Sequence, residues 1–458
     1  MPNGLSPKMS FITELSGKNC LVLGAGVTGR AVHNALLKFK ATSKIFDEKV
    51  SPDAEVVNEI PSGVNLVVVS PGWRLDHPVI VKLKSTGALI LSEIDLAWQI
   101  KQVLAPNQKW IALTGTNGKT TTIQMLESIF KSAKINGVAC GNVGQTVIES
   151  VCADRPFDYL AIELSSFQIQ WSDLPRYQAV AILNIAEDHI DWHASFENYA
   201  AAKLKLLTHS DKLILNKSDQ EITRRIKKDE VIWFSLATPA PGEIGVVENL
   251  LIDRAFSSSD SEANEIAELS DITPAVPHNI SNALAAAALA LSIGIKYEFI
   301  KNGLKNFSAD HHRMELVVSK NEINWIDDSK ATNPHAAIAS LLSNFKIIWI
   351  AGGLAKGASM GELVLRCANR IKAVILIGQD REIIATAFMQ HAKGVEIIRV
   401  DQVGDARTLM SDVVKAAKKL AQPGDTVLLA PACASMDQFD SYSQRGQLFA
   451  QAVKEELL

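Results

Sequence analysis

Short apolar runs rich in β-formers recur along this chain, each followed by a turn and then a helical stretch. That alternation restricts the fold more than any other feature, because it is the pattern of parallel sheets with crossover helices. The runs separate into three blocks. Cys20-Leu-Val-Leu23, Lys44-Ile-Phe46, Leu66-Val-Val-Val69 and Ala88-Leu-Ile-Leu91 form the first, which closes in the polar stretch Ala105-Pro-Asn-Gln108. The second holds Trp110-Ile-Ala-Leu113, Tyr159-Leu-Ala-Ile162, Ala179-Val-Ala-Ile-Leu183 and Lys212-Leu-Ile-Leu215. It then crosses an irregular acidic, serine-rich stretch, Ser257-Ser-Ser-Asp-Ser-Glu262, expected to be a solvated loop. The Ala/Leu run Asn282 to Leu291 follows, expected to be a buried helix, and the block ends near Asp310 to Arg313. Lys346-Ile-Ile-Trp-Ile350, Ala373-Val-Ile-Leu-Ile377, Val395-Glu-Ile-Ile398 and Thr426-Val-Leu-Leu-Ala430 make the third. At about 150 residues per domain, 458 residues accommodate three α/β domains, placed at 1–106, 107–312 and 313–458. Clefts between such domains can open and close.

Composition removes several function classes. With 47% hydrophobic and 21% charged residues the chain is neither collagen-like nor disordered. A net charge of −4 is too near zero, and of the wrong sign, for a protein that binds phosphate backbones through massed Lys and Arg, so nucleic acid is not expected as a partner. Met1 to Ser10 lacks an apolar core, and the longest apolar stretch, Ala283 to Leu291, falls short of the roughly 20 residues that span a bilayer. A cytoplasmic protein without a membrane span is expected. Five widely spaced cysteines (Cys20, Cys140, Cys152, Cys367, Cys433), with no CxxC, suit reduced and buried thiols.

The strongest chemical signal is Thr114-Gly-Thr-Asn-Gly-Lys-Thr-Thr121, directly after an apolar run and directly before the helical run Thr122 to Phe130. Glycines let backbone N–H groups converge on phosphate oxygens, a helix N-terminus adds partial positive charge, Lys119 neutralises β/γ-phosphates and the Thr120 hydroxyl can ligate Mg²⁺. The loop is shorter than the general phosphate-loop pattern, since Leu113 stands where that pattern has its first Gly. A tight turn carrying a surface lysine is the alternative. Acidic or imidazole ligands would come from the C-terminal ends of neighbouring strands. Glu163 ends one run, and Asn184 to Asp191 ends the next with His189 among three carboxylates; a helix cap and a solvated acidic loop are the plainer readings.

A second glycine motif, Gly24-Ala-Gly-Val-Thr-Gly29, follows the first run, and Asp47 ends the next, matching a dinucleotide fingerprint of Rossmann type with its ribose-binding acid. NAD(P), FAD, a nucleotide sugar or a plain turn would each satisfy it. In the third block, Asp327-Asp-Ser-Lys-Ala-Thr-Asn-Pro334, Gly352-Gly-Leu-Ala-Lys-Gly357 and Ala430-Pro-Ala-Cys-Ala-Ser435 follow apolar runs. They bring two lysines, Thr332 and Ser435 to one sheet edge, a composition suited to a small dianion.

These pieces resemble the Mur ligases of bacterial cell-wall synthesis, in particular those that add D-glutamate. The likeness runs from the Gly24 loop to Arg445, and its most specific parts are Gly115 to Thr121, Glu163-Leu-Ser-Ser-Phe-Gln168, Glu187-Asp-His189, His278-Asn-Ile-Ser-Asn-Ala-Leu-Ala285, Asp328-Ser-Lys-Ala-Thr-Asn333 and Ser435-Met-Asp-Gln-Phe439. The short phosphate loop is a property of that family. The resemblance implies a Rossmann-like N-terminal domain, a central ATPase-type domain with a mostly parallel sheet, and a Rossmann-like C-terminal domain. It further implies an ATP-dependent ligase, acting as a monomer, that joins D-glutamate to UDP-N-acetylmuramoyl-L-alanine through an acyl phosphate.

Carried over by resemblance, Gly115, Thr116, Asn117, Gly118, Lys119, Thr120 and Thr121 hold ATP phosphates, with Asn279, Asn282, Arg313 and Asp328 around its other parts. Thr120 and Glu163 place one Mg²⁺ and His189 a second. Val27, Thr28, Asp47, Ser70 and Gly72 take uracil and diphosphate, while Asn142 and Ser165 touch the sugar end. Lys330, Thr332, Lys356, Ser435, Met436 and Tyr442 take D-glutamate; Tyr442 stands where relatives often have Phe. Lys203 aligns with a lysine that the family carries as an N-carbamate, a metal-binding carboxylate, although spacing alone makes it a helix-surface lysine. A nicotinamide oxidoreductase, a folylpolyglutamate synthetase and a non-catalytic nucleotide-binding scaffold are the competing readings.

Overall fold

The alternating runs fold into three sheets, seen in a computed structural model that describes residues 10–227, 230–257, 259, 261–308 and 310–458. The start Met1 to Met9, and Ser258 and Asp260 of the serine-rich stretch, lie outside the described residues. The first sheet contains β1 (Asn19–Leu23), β2 (Thr42–Phe46), β3 (Val56–Val57), β4 (Leu66–Val69) and β5 (Leu89–Ser92), in the order β3-β2-β1-β4-β5 with every pairing parallel. Leu21 to Leu23 and Leu66 to Val69 are buried without alternation, as expected of strands covered on both faces.

The second sheet contains β6 (Lys109–Thr114), β7 (Gly137–Gly141), β8 (Tyr159–Glu163), β9 (Ala179–Ile182), β10 (Leu213–Asn216), β11 (Val231–Phe234), β12 (Glu243–Val247), β13 (Leu250–Asp253) and β14 (Asn264–Glu268). Its order is β14-β13-β12-β11-β10-β9-β6-β8-β7, parallel from β7 to β12 and antiparallel at β12–β13 and β13–β14. The sequence analysis did not assign β11 to β14. β12 to β14 each include a charged residue, as in Asn264-Glu-Ile-Ala-Glu268, and so lack the continuous apolar signature of a buried parallel strand, whereas β11, Val231-Ile-Trp-Phe234, is wholly apolar and was a readable run. The third sheet joins β15 (Glu315–Lys320), β16 (Ile323–Asp327), β17 (Ile347–Gly352), β18 (Ile371–Ile377), β19 (Glu396–Arg399) and β20 (Thr426–Leu429) in the order β15-β16-β20-β17-β18-β19. Only the β15–β16 pairing is antiparallel among its described strands.

The chain divides into two compact units. The first holds the first two sheets and runs to Ile185, with Ala200–Ile272 and Asn279–Phe307; the second holds the third sheet together with Ala186–Tyr199 and Thr273–His278. The helix Pro277–Ser292 buries Ala283 to Ala290 on every side, which its all-apolar run requires. The helix after the phosphate loop is Lys119–Ser132, beginning three residues before the expected run because Gly118, at φ 81°, turns the chain directly into it. All five cysteines are free thiols, but Cys152 is only half-buried, since it caps the end of the short helix Val147–Val151.

Candidate active site

At the first sheet, the glycine motif forms a close turn. A Cβ on Gly29 would stand 1.8 Å from the Gly24 carbonyl oxygen, and one on Gly24 would stand 2.8 Å from Ser70 Oγ. Asp47 braces this turn: its Oδ2 accepts from Ala25 N at 2.8 Å and its Oδ1 from Lys49 N at 2.8 Å. Ser70 Oγ is buried without a hydrogen-bond partner, packed against Gly24 and Gly29 of the turn. Val27 and Gly72 are exposed and Thr28 half-buried around it.

The phosphate loop sits at the C-terminal end of β6, the strand flanked by β9 and β8. Lys119 Nζ donates to the carbonyls of Gly115 and Thr116, each at 2.9 Å, and is held across the loop rather than out in solvent. Asn184 locks the loop in place: Asn117 N donates to its Oδ1 at 2.8 Å, its Nδ2 donates to Asn117 O at 3.1 Å, and Thr116 N donates to its carbonyl. That role of Asn184 is not among those expected from the sequence, although its place at the end of an apolar run beside the loop strand is a usable signal. Asn282 lies against Gly118, where a Cβ would come within 2.3 Å of its Oδ1; Asn279 is buried on the same helix.

Glu163 pairs in register with Leu113 at the end of β8. It is fully buried; Oε1 accepts from Asn142 Nδ2 at 2.8 Å, while Oε2 has no hydrogen-bond partner. A buried carboxylate oxygen without a donor is costly unless a cation satisfies it, and with the half-buried Thr120 hydroxyl it makes a donor set of hard oxygens that fits Mg²⁺. Ser165 caps the helix Ser166–Trp171 in a capping box with Gln168. Lys203 is not a surface lysine: it is buried, and its Nζ donates to Gly115 O at 2.9 Å and Thr114 Oγ1 at 3.3 Å. The other expected metal ligand, His189, belongs to the second unit, at φ 54°, with its backbone N–H on Asp188 Oδ1.

In the second unit, three loops at the C-terminal ends of the adjacent strands β16, β20 and β17 are hydrogen-bonded to one another. Ala432 N donates to Ala331 O at 2.9 Å, and Leu354 and Ala434 exchange two backbone bonds at 2.9 Å. Gly353 permits this approach, since a Cβ there would meet Ala434 O at 2.1 Å. Lys330, Thr332, Lys356 and Ser435 are thereby brought together on linked loops. Lys330 Nζ stands 3.8 Å from the Tyr442 ring centroid, Lys356 Nζ lies 3.9 Å from Asp188 Oδ1, and Met436 is exposed. Asp328 is buried against Ser340 Oγ, and burial pushes its carboxyl up to about 6 against the lowering effects of Ser340 and Arg313.

Behind these loops lies a polar network that the sequence did not reveal. Arg445 donates to Ser329 Oγ at 3.0 Å, Ser329 O at 2.9 Å and Cys433 O at 3.2 Å, and Ser329 Oγ donates to Tyr442 O at 2.7 Å. His312 Nδ1 lies 2.6 Å from Asp327 Oδ2, and that bond raises the imidazole pKa. Gly446 makes room for the pair, since a Cβ there would stand 2.2 Å from His312 Nδ1.

Residues 113–290 match the Mur ligase middle domain, and residues 312–433 match the glutamate ligase domain of the Mur ligases. The chain is 44% identical to the UDP-N-acetylmuramoylalanine--D-glutamate ligase of Thermobifida fusca, over 96% of this chain and 99% of that protein. It is 40% identical to the protein of the same name from Streptomyces coelicolor, over 97% and 99%. Among solved structures, a pseudomurein peptide ligase type C from Methanothermus fervidus aligns with a TM-score of 0.62 at 18% identity, over 96% of this chain and 100% of that one, a likeness of fold.

Proposed function

This chain belongs to the Mur ligase family, and on that premise we propose that it is the ATP-dependent enzyme that joins D-glutamate to UDP-N-acetylmuramoyl-L-alanine in peptidoglycan precursor synthesis. The products are UDP-N-acetylmuramoyl-L-alanyl-D-glutamate, ADP and phosphate. A carboxylate is a poor acyl donor. Transfer of the γ-phosphoryl group to the alanine carboxylate gives an acyl phosphate, the amine of D-glutamate attacks its carbonyl carbon, and phosphate leaves. The protein's contribution is charge neutralisation and alignment away from bulk water.

The observation that carries the reading is the buried, unpartnered Oε2 of Glu163 at the strand end beside the phosphate loop. Thr120 and Glu163 would hold one Mg²⁺ and His189 a second, and the ions supply positive charge against the phosphates. Lys119 neutralises β/γ-phosphate charge from across the loop, and Asn279, Asn282, Arg313 and Asp328 surround the rest of ATP. Lys203, as an N-carbamate, would exchange a buried cation for a buried carboxylate beside Gly115. Val27, Thr28, Asp47, Ser70 and Gly72 hold the uracil and diphosphate, Asn142 and Ser165 the sugar end, and Lys330, Thr332, Lys356, Ser435, Met436 and Tyr442 the D-glutamate. Domains 1–106, 107–312 and 313–458 accordingly take sugar nucleotide, ATP and amino acid. We infer a monomer acting in the cytoplasm, a reading supported by substrates of this kind.

The test is a coupled assay of ADP release. Release should require both UDP-N-acetylmuramoyl-L-alanine and D-glutamate. Release indifferent to D-glutamate, or met equally by L-lysine or L-alanine, refutes the assignment.

A further inference from the structure

Glu93 and Asp95 occupy the first turn of the helix Glu93–Leu104, which starts where β5 of the first sheet ends and is capped by Ser92. Both carboxylates are buried, and the reaction described above uses neither. Glu93 Oε1 accepts from Ile148 N at 2.7 Å. That amide lies in the first turn of the helix Val147–Val151, which the chain enters from Gly141-Asn-Val-Gly-Gln145. Asp95 Oδ1 accepts from Ser172 Oγ at 3.3 Å, Asp173 N at 3.0 Å and Leu174 N at 2.9 Å. These three residues directly follow the helix Ser166–Trp171 that Ser165 caps. From that same helix, Trp171 Nε1 donates to Trp73 O at 2.8 Å, one residue beyond the Ser70-Pro-Gly72 turn.

The segments carrying Asn142 and Ser165 are therefore both tied to the end of the first sheet, the sheet that carries Asp47 and Ser70. Burying a carboxylate costs several kcal/mol of hydration, which the N–H groups of Ile148, Asp173 and Leu174 offset here, so both side chains are anchored to these segments. We propose that Glu93 and Asp95 are positioning residues that keep Asn142 and Ser165 at a fixed span from the Ser70–Gly72 turn, so that the sugar nucleotide is gripped at both ends at once. The proposal rests on the sugar-nucleotide assignment made under Proposed function.

UDP alone reaches only the first-sheet end of this span, whereas UDP-N-acetylmuramoyl-L-alanine needs both. Calorimetric titration of Glu93→Ala should weaken binding of the full substrate about tenfold while UDP binding moves less than about twofold. Glu93→Gln, which keeps an acceptor oxygen for Ile148 N, should recover most of the loss. If Glu93→Ala does not fold, Asp95→Ala carries the same comparison. Equal shifts for UDP and full substrate, or no shift in either, overturn the proposal, because general loosening of the fold cannot separate the two ligands. Wild-type protein titrated in parallel keeps the two readings distinct: failure to bind the sugar nucleotide there refutes the function, not the role of Glu93.

Discussion

Lys203 and Arg445 are both buried cations, one in each unit, and they serve their regions in opposite ways. Lys203 reaches the Gly115 carbonyl and the Thr114 hydroxyl at the mouth of the phosphate loop. Under the proposed function Lys203 would be an N-carbamate, which replaces the ammonium charge with a carboxylate of opposite sign. Arg445 presents a planar fork to three acceptors on two loops. Burial lowers its pKa only to about 10, so the guanidinium stays charged at neutral pH. On the proposed function, the phosphate-loop region would hold a group open to chemical change, while the linked loops of the second unit hold a permanent pin.

The largest expected effect is at Lys203. Lys203→Ala should lower the ligation rate by about 10³-fold or more, with partial rescue by a short carboxylate such as formate; full activity without rescue would make it a structural lysine after all. Arg445→Met should instead act on stability, by about 3–5 kcal/mol, because it strands buried acceptors on Ser329 and Cys433. Urea unfolding measures it, and an unchanged midpoint would remove the pin from the comparison.

Buried carboxylates extend the contrast to pH. Burial raises the Glu93 carboxyl from 4.5 to about 7. The folded protein then holds a proton that the unfolded chain releases between those values, so this group's contribution to stability falls as pH rises through that window. The loss is up to about 3 kcal/mol, and Glu93→Gln should flatten that part of the urea midpoint profile. An identical profile in wild type and variant would mean that Glu93 does not titrate there. The smallest effect is at Tyr442. Losing its ring in Tyr442→Leu should raise KM for D-glutamate about two- to fivefold, whereas Tyr442→Phe keeps the face under Lys330 and should stay within about twofold. Phe and Leu behaving alike would exclude the ring contact.

Much of the phosphate side was legible because its parts are contiguous. Gly115 to Thr121 needs only a strand, a left-handed Gly118 and a helix, all written within a dozen residues. Glu163 was readable as the last residue of a strand beside that loop. Lys203 was not, because a charged residue in a helical pattern reads as solvated; the helix Phe196–Leu204 buries it together with Tyr199, Ala200 and Ala202. The strands β12 to β14 escaped notice for a related reason, since their charged positions shorten or break the apolar run by which buried strands are recognised; β11, Val231-Ile-Trp-Phe234, has no such break and was legible.

The sequence by itself determined the local chemistry: where runs become strands, where glycines let the chain turn, and which loops carry lysine, hydroxyl or carboxylate. Those outcomes depend on a few neighbouring residues and on backbone sterics. Tertiary structure alone decided that Lys203 is buried, that three loops of the third sheet are bound to each other, and that Arg445 pins Ser329 from 116 residues away. A contact at that separation has no signature in either local stretch. It exists only once the sheet order β16-β20-β17 has brought the two stretches side by side.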